Sequence, residues 1–285
     1  MGFLNNYSPL RYPGGKAAIA DFFASVLSAN EIGQNGVYCE PYAGGAGVAL
    51  TLLLTDKVER IIINDYDECI AAFWRSMLRE TQRFVDAIRD CDVSMETWKK
   101  QREIYDRRAG YDEFTLGFAT FFLNRCNRAG ILPKAGPIGG VKQNGRYTIA
   151  ARFKKEVLIA RIEQIAKVSE RIKFENLDAI SFLKRLQKFS ASSRLFVYLD
   201  PPYYVRGKEL YFNYYHKENH LELSKYMSDF TTHKWIMTYD NCQDIRKMYR
   251  GRGFKIVELP IRYSMQKVRK DKEILIVPKH TKVPH

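Results

Sequence analysis

The stretch VYCEPYAGGAGVALTLLLTDKVERIIIND, residues 37–65, decides the fold. Val37–Cys39 is short and apolar, and Arg60–Ile63 closes on three isoleucines, so both ends predict strands. Between them Val48–Leu54 fits the start of a buried helix. Strand, loop, helix, strand is a βαβ unit, for which a right-handed parallel crossover is expected. The loop, EPYAGGAG, places glycines where a first strand meets a first helix, and glycines there let a ligand come close to the backbone. Asp65 ends the second strand, 21 residues after Gly44. From that place a carboxylate can hydrogen-bond ribose hydroxyls. The full G-x-G-x-x-G spacing is absent, so a nucleoside ligand fits and a pyrophosphate is not demanded. A plain glycine turn with a helix-capping acid is the competing reading.

Working outward, Leu195–Leu199, Trp235–Thr238, Phe254–Leu259 and Ile274–Val277 also predict strands. Helices are expected over Ala17–Ala29, Glu68–Arg79, Phe84–Asp90, Glu156–Lys167, Ser181–Gln187, Leu221–Phe230 and Gln243–Tyr249. Alternating strands and helices indicate an α/β sheet. Residues from about 75 to 170 break the alternation, being mainly helical to Leu123 and then loop-rich. The organisation expected is a discontinuous sheet domain, residues 1–74 and 171–285, with residues 75–170 as an insertion.

Composition narrows the class. An apolar fraction of 46% suits a globular protein. No run approaches the roughly 18 apolar residues of a membrane helix, and the N-terminus lacks a basic start followed by an apolar stretch. No membrane association and a cytoplasmic protein are therefore expected. Cys39, Cys69, Cys91, Cys126 and Cys242 are scattered, with no C-x-x-C pair. That pattern suits a reducing compartment and offers no metal site. His216 and His220 stand four apart with nothing to complete a ligand set, and are read as a surface pair. The net charge of +14 points to a polyanionic partner, if its distribution agrees.

The distribution does agree. Residues 124–155, NRCNRAGILPKAGPIGGVKQNGRYTIAARFKK, hold no Asp or Glu. Asn144-Gly145 between VKQ and RYTIA is a two-residue hairpin signal. A basic hairpin can enter a major groove, where arginine pairs with guanine edges. A solvated loop with ordinary surface charges is the alternative.

Two further motifs carry chemistry. RYPGGK, residues 11–16, is a glycine turn, read either as a simple turn before a helix or as a lid whose Lys16 meets a carboxylate. LFVYLDPPYY, residues 195–204, ends an apolar strand on Asp200 and then stiffens it with Pro201 and Pro202. An acid, a rigid extended backbone and a tyrosine ring are well suited to holding a planar exocyclic amine. Asp200 can accept one amine N–H and a neighbouring carbonyl the other, while a ring stacks on the heterocycle. The amine then attacks an electrophilic methyl through positioning and preorganised electrostatics, without a covalent intermediate. Taken alone, a structural DPPY loop competes with this reading.

RYPGGK, EPYAGGAG with INDYD, and YLDPPYY, in that order, resemble the Dam-type (D12 class) adenine-N6 DNA methyltransferases. FFLNRCNRAG and FNYYH also look like that family, and the likeness spans roughly residues 8–278. It implies a Rossmann-like S-adenosylmethionine-dependent methyltransferase sheet with an inserted, mainly helical target-recognition domain carrying the β-hairpin. It implies S-adenosyl-L-methionine as donor, S-adenosyl-L-homocysteine as product, no metal, and double-stranded DNA as partner; a cognate restriction enzyme is a further partner it allows. In the cell the protein would then sit on the nucleoid through DNA. By motif, Tyr12, Pro13, Gly14, Gly15 and Lys16, with Glu40, Pro41, Tyr42, Ala43 and Gly44, would form the donor site. Asp65 would bind the ribose, and Asp200 would border the donor. Asp178 would reach the donor's adenine end or else cap the helix near Ser181. Asp200 and the Pro201 carbonyl would hold the target amine, Pro202 would keep the loop extended, and Tyr203 would stack. Phe212 and Tyr215 would close the site, grip an extruded nucleotide, or pack the core. Arg125, Asn127, Arg128, Lys134, Asn144 and Arg146 would contact DNA. The likeness departs at RYPGGK, which has tyrosine where the best-known members have tryptophan, and after Asn124-Arg125, which lacks the arrangement of GATC-reading members. A target other than GATC is expected. Methylation of cytosine N4 and a DNA-binding module without catalysis are the alternatives.

Overall fold

The computed structural model describes residues 7–11, 19–189, 194–204, 215–259 and 273–284. A first helix, α1 (Ala20–Ala29), precedes the βαβ unit of β1 (Val37–Glu40), α2 (Gly47–Leu54) and β2 (Arg60–Asn64). Five helices follow: α3 (Glu68–Arg79), α4 (Thr81–Asp90), α5 (Met95–Asp106), α6 (Glu113–Cys126) and α7 (Lys155–Ala166). The chain then returns through β3 (Ile172–Glu175), α8 (Ala179–Leu186) and β4 (Leu195–Leu199). It ends with α9 (Lys217–Asp229), β5 (Lys234–Asp240), α10 (Gln243–Tyr249), β6 (Phe254–Leu259) and β7 (Glu273–Pro278).

The strands form one seven-stranded sheet in the order β3-β2-β1-β4-β5-β7-β6. The pairs β3–β2, β2–β1, β1–β4 and β4–β5 are parallel, and β7 runs antiparallel to both β5 and β6. From β1 the chain walks outward to β2 and β3, then jumps back to place β4 on the other side of β1. The strand order therefore reverses between β1 and β4. In open α/β sheets that reversal leaves a crevice beyond the strands' carboxyl ends. The register Val37↔Leu195, Tyr38↔Phe196, Cys39↔Val197 sets EPYAGG and DPPYY side by side at that crevice.

The central strands are apolar on both faces because both faces are covered. Tyr38, Ile61, Ile63, Phe196 and Tyr198 join one buried cluster with α1, α2 and α3. Cys39, Ile62, Val197 and Leu199 join the other with α8, α9 and α10. Edge strand β3, IKFE, has only Ile172 buried, so its sequence lacks the apolar run that marked the other strands. Helix α9 starts four residues earlier than its apolar pattern indicated. The Asn219 side chain accepts from the His216 N–H at 3.0 Å and secures the first turn.

The residues expected as an insertion pack on the first cluster, with no separate core among the described residues. Phe84, Val85, Ile88, Tyr105, Phe121 and Phe122 are contiguous with Phe73 and Trp74 of α3. Residue 75, the expected start of the insertion, lies inside α3. Gly117 of α6 lets that helix touch α3, since a Cβ there would stand 2.5 Å from the Ala72 carbonyl.

The hairpin expected around Asn144-Gly145 does not form. Residues 138–148 fold as consecutive turns without a strand ladder. The Gln143 side chain closes the loop instead. Its Nε2 donates to the Ile138 and Gly140 carbonyls (2.8 and 2.6 Å), and its Oε1 accepts from the Ile149 N–H (2.8 Å). A two-stranded ribbon has little stability of its own, so a side chain that closes the loop otherwise overrides the turn signal. None of the described helices is long and apolar enough to cross a membrane.

Candidate active site

The turn after β1 is held from four sides. Gly44, at φ +47°, donates its N–H to Asp65 Oδ2 at 2.8 Å, and its carbonyl accepts from Trp74 Nε1 at 2.9 Å. The Pro41 carbonyl accepts from Asn64 Nδ2 at 2.9 Å, and Ala43 donates to the Asn64 carbonyl. Asn64 also exchanges two hydrogen bonds with the Leu177 backbone, so one buried amide ties the turns after β1 and β3 together. Buried Glu40 accepts from the Ala49 N–H in the first turn of α2 at 3.0 Å. Glu40 thus ties the end of β1 to the first turn of α2. Burial pushes its carboxyl up to about 8, the Ala49 bond works against that, and the charge of Asp200 adds to it.

Asp65 lies at the rim of the same crevice. Its Oδ1 accepts from the Asp67 N–H at 2.9 Å while Oδ2 holds Gly44. Burial, aided by the charge of Asp67, raises its carboxyl to about 7, against these two N–H donors. The next residue, Tyr66, is 60% exposed. The sequence analysis did not single out Tyr66, because INDYD drew attention to its acid and not to the ring that follows. Asp178 is exposed and its Oδ1 accepts from the Ile180 and Ser181 N–H groups at 3.1 and 3.0 Å. Of its two sequence readings, the helix cap is therefore formed. On the opposite side, the Tyr42 hydroxyl lies 2.9 Å from that of Tyr215, with the rings edge to face. Tyr12, Pro13, Gly14, Gly15, Lys16 and Phe212 lie outside the described residues.

Asp200 begins the loop after β4. Its Oδ1 accepts from Thr238 Oγ1 at 2.5 Å, and Thr238 Oγ1 lies 2.9 Å from the Tyr198 hydroxyl. Pro201 and Pro202 are buried, and Tyr203 and Tyr204 are half-buried. The Tyr203 hydroxyl donates to Glu273 Oε1 at 3.0 Å, and the Tyr204 N–H donates to Asp240 Oδ1 at 3.0 Å. Three side chains from β5 and β7 thus fix a loop that follows β4. Thr238, Asp240 and Glu273 escaped the sequence reading because only the sheet order brings their strands beside this loop. Tyr204, to which the sequence assigned no role, anchors the loop through its backbone.

The expected DNA contacts divide in two. Arg125 and Asn127 are buried and engaged within the fold, which corrects the sequence expectation. Arg125 donates to the Arg152 carbonyl through Nε and Nη2 (2.9 and 2.5 Å) and to the Pro9 carbonyl through Nη1 at 3.5 Å. Burial, with the nearby charges of Arg11 and Arg161, lowers its guanidinium to about 9. Asn127 accepts from Trp98 Nε1 and donates to the Ile131 carbonyl, both at 2.8 Å. Their neighbour Asn124 shows what this motif does. Its side chain accepts from the Arg11 N–H at 2.6 Å and donates to the Arg11 and Gly130 carbonyls at 2.8 and 2.9 Å. Gly130, at φ +76°, is pressed so close to Arg11 that a Cβ would meet its carbonyl at 2.5 Å. NRCNRAG therefore docks the residue that leads into RYPGGK. Arg125→Ala is expected to lower unfolding free energy by about 2 kcal/mol, since buried acceptors lose a charged donor. Urea unfolding checks this, with unchanged DNA sequence preference as the companion result. Arg128, Lys134, Asn144 and Arg146 are exposed.

The histidine pair is also corrected. His216 is exposed, but His220 is fully buried. Its helix presents that position inward, on the same face that carries Leu223 and Met227.

Comparison with known proteins gives the following. The chain is 23% identical over 268 residues to the Type II methyltransferase M.MjaIII of Methanocaldococcus jannaschii, covering 87% of this chain and 89% of that protein. The rRNA methyltransferase aviRa from Streptomyces viridochromogenes superposes with a TM-score of 0.40 and 13% identity, covering 95% of this chain and 87% of that one, a likeness too low to bear on substrate. The sequence profile of the D12 class N6 adenine-specific DNA methyltransferases matches residues 12–265, spanning the glycine turn, the Asp65 rim and the Asp200 loop. The protein belongs to that class of adenine-N6 DNA methyltransferases.

Proposed function

We propose that the protein moves a methyl group from S-adenosyl-L-methionine to the N6 amine of an adenine flipped out of duplex DNA. The observation that carries this reading is the placement of Asp200 and the Gly44 turn on adjacent parallel strands at the sheet's reversal point. The residues around that turn fit the donor. A half-buried acid, Asp65, faces the crevice rim, the exposed Tyr66 ring stands next to it, and the Tyr42–Tyr215 pair walls the far side. When bound, the donor supplies an electrophilic methyl on a sulfonium centre. The chain's own contribution is to orient the amine. Asp200, aligned by Thr238 and Tyr198, accepts one N–H, the Pro201 carbonyl accepts the other, and Tyr203, tethered to Glu273, covers the base. Two acceptors localise the amine lone pair, and orientation does the rest. Because N6 is paired inside a duplex, the base must leave the stack to reach this loop.

Residues 75–170 are proposed as the target-recognition part. Their exposed cations, Arg128, Lys134, Lys142 and Arg146, lie in a stretch without a compensating acid. The Gln143 clasp holds that stretch in a defined shape, which favours positional readout over loose attraction. Arg146→Ala is expected to weaken duplex binding by about 1–3 kcal/mol, with relaxed site choice if the contact is to a base. Unaltered affinity and preference in a binding-site selection would remove it from the recognition set.

The decisive experiment supplies labelled donor and a pool of duplexes, then maps modified positions at base resolution. N6-methyladenine within one short sequence is expected. Label on cytosine N4, or on RNA alone, would overturn the substrate reading.

A further inference from the structure

The loop after β4 and the turn after β1 share a neighbour. His220, in α9, is fully buried, and its Nδ1 lies 2.7 Å from the Tyr239 hydroxyl near the end of β5. Its ring meets Tyr204 edge-on at 5.1 Å and Tyr215 edge-on at 5.3 Å, and lies tilted to Tyr239 at 5.6 Å. Tyr204 belongs to the catalytic loop, pinned by its N–H to Asp240. Tyr215 reaches the cofactor turn through its hydroxyl contact with Tyr42. One imidazole thus touches both halves of the site. Its Nε2 has no hydrogen-bond partner among the described residues, and burial keeps the ring neutral by lowering its pKa to about 4.

A phenyl ring would fill this space without stranding a nitrogen. A buried nitrogen without a partner costs stability, so its presence calls for an explanation. The imidazole adds direction. The bond from Nδ1 to Tyr239 fixes the ring's rotation, and edge-to-face contacts with two tyrosines transmit that orientation to both loops. Since the amine and the methyl donor rest on different loops, their mutual alignment depends on whatever holds the two loops in register.

We propose that His220 is a positioning residue for methyl transfer, holding the Asp200–Tyr204 loop in register with the Tyr42 turn through Tyr239, Tyr204 and Tyr215. The proposal rests on the methyl-transfer reading above.

The test compares His220→Phe, Tyr239→Phe, the double variant and His220→Asn. The phenyl ring keeps the packing and loses the bond to Tyr239, whereas asparagine keeps a polar atom near the place of Nδ1. If His220 positions the loops, kcat falls about tenfold in each single phenylalanine variant while KM for donor and DNA stays within about twofold. The double variant falls no further, because both changes cut the same bond, and His220→Asn recovers most of the loss. Wild-type kcat in either phenylalanine variant overturns the proposal, as does additivity in the double or a loss that follows Tm. Amide hydrogen exchange decides the same point without catalysis. The Tyr204 amide should exchange faster in both phenylalanine variants while α2 keeps its protection, and wild-type exchange at Tyr204 overturns the proposal. Wild-type transfer to adenine is assayed alongside. Its failure would refute the substrate reading, and the exchange comparison would still judge His220.

Discussion

Asp200→Ala is expected to abolish methyl transfer, lowering kcat by at least about a thousandfold, while duplex and donor affinities change by less than about threefold. The half-buried carboxylate is aligned by Thr238 Oγ1 at 2.5 Å, and that hydroxyl lies 2.9 Å from the Tyr198 hydroxyl. Removing it leaves the target amine with one acceptor and an untuned lone pair. Because the side chain lies at the end of β4 and outside both apolar clusters, the fold should survive. Asp200→Asn retains a carbonyl acceptor without the charge and should fall between alanine and wild type. Thr238→Val tests the alignment itself, with an expected kcat loss of about tenfold from a mis-set carboxylate. Single-turnover assays with filter binding separate chemistry from association. Robust turnover in the alanine variant would falsify the catalytic assignment of Asp200.

The second large effect concerns donor binding. Asp65→Ala should weaken S-adenosyl-L-methionine binding by about a hundredfold, the scale of losing charge-assisted hydrogen bonds in a partly dry site. The same residue should make binding depend on pH. Burial and the charge of Asp67 raise its carboxyl to about 7, so near neutrality the ligand-free protein carries this group in both forms. Ribose hydroxyls donate best to the ionised form. Affinity should therefore rise with pH, by about tenfold from pH 6 to pH 8. Calorimetric titration checks this, and Asp65→Asn should flatten the dependence. Stability moves the other way. The folded protein retains a proton that the unfolded chain has released, so this group opposes folding increasingly from about pH 4 to pH 7. Asp65→Asn should remove this fall in stability between about pH 4 and pH 7, even though its Nδ2 then faces one of the two N–H donors from which Asp65 accepts. A pH-independent affinity in the wild type would remove Asp65 from the ribose-binding role.

Much of this was legible in the residues. The βαβ unit was readable from Val37–Asp65 because buried parallel strands appear as short apolar runs between turn signals. Asp200 stood out because an acid followed by two prolines ends a buried apolar run, and the glycine turn upstream favoured a functional over a structural loop. The edge strand β3 was not legible, since half-exposed IKFE lacks that apolar signature. The hairpin was misread because Asn144-Gly145 is a local signal, and the Gln143 side chain settled the loop through contacts up to six residues away. Arg125 and Asn127 were misread because a polar or charged residue in a sequence does not say whether its side chain faces solvent. Arg125 turns inward to the Arg152 and Pro9 carbonyls, and Asn127 to the Ile131 carbonyl and the Trp98 indole.

The sequence by itself determined the α/β class, the glycine turn, the two acids at strand ends and the acid-free basic stretch. Each is set by local chemistry: strand periodicity, backbone freedom at glycine, proline's restricted φ and net charge along the chain. Only the tertiary structure decided that β4 lies beside β1, that Thr238, Asp240 and Glu273 hold the loop after Asp200, and that His220 touches both Tyr204 of that loop and Tyr215, the partner of Tyr42. The loop contacts from Thr238, Asp240 and Glu273 span tens of positions, and they exist because the chain returns past β1 to place β4 beside it, with β5 and β7 beyond.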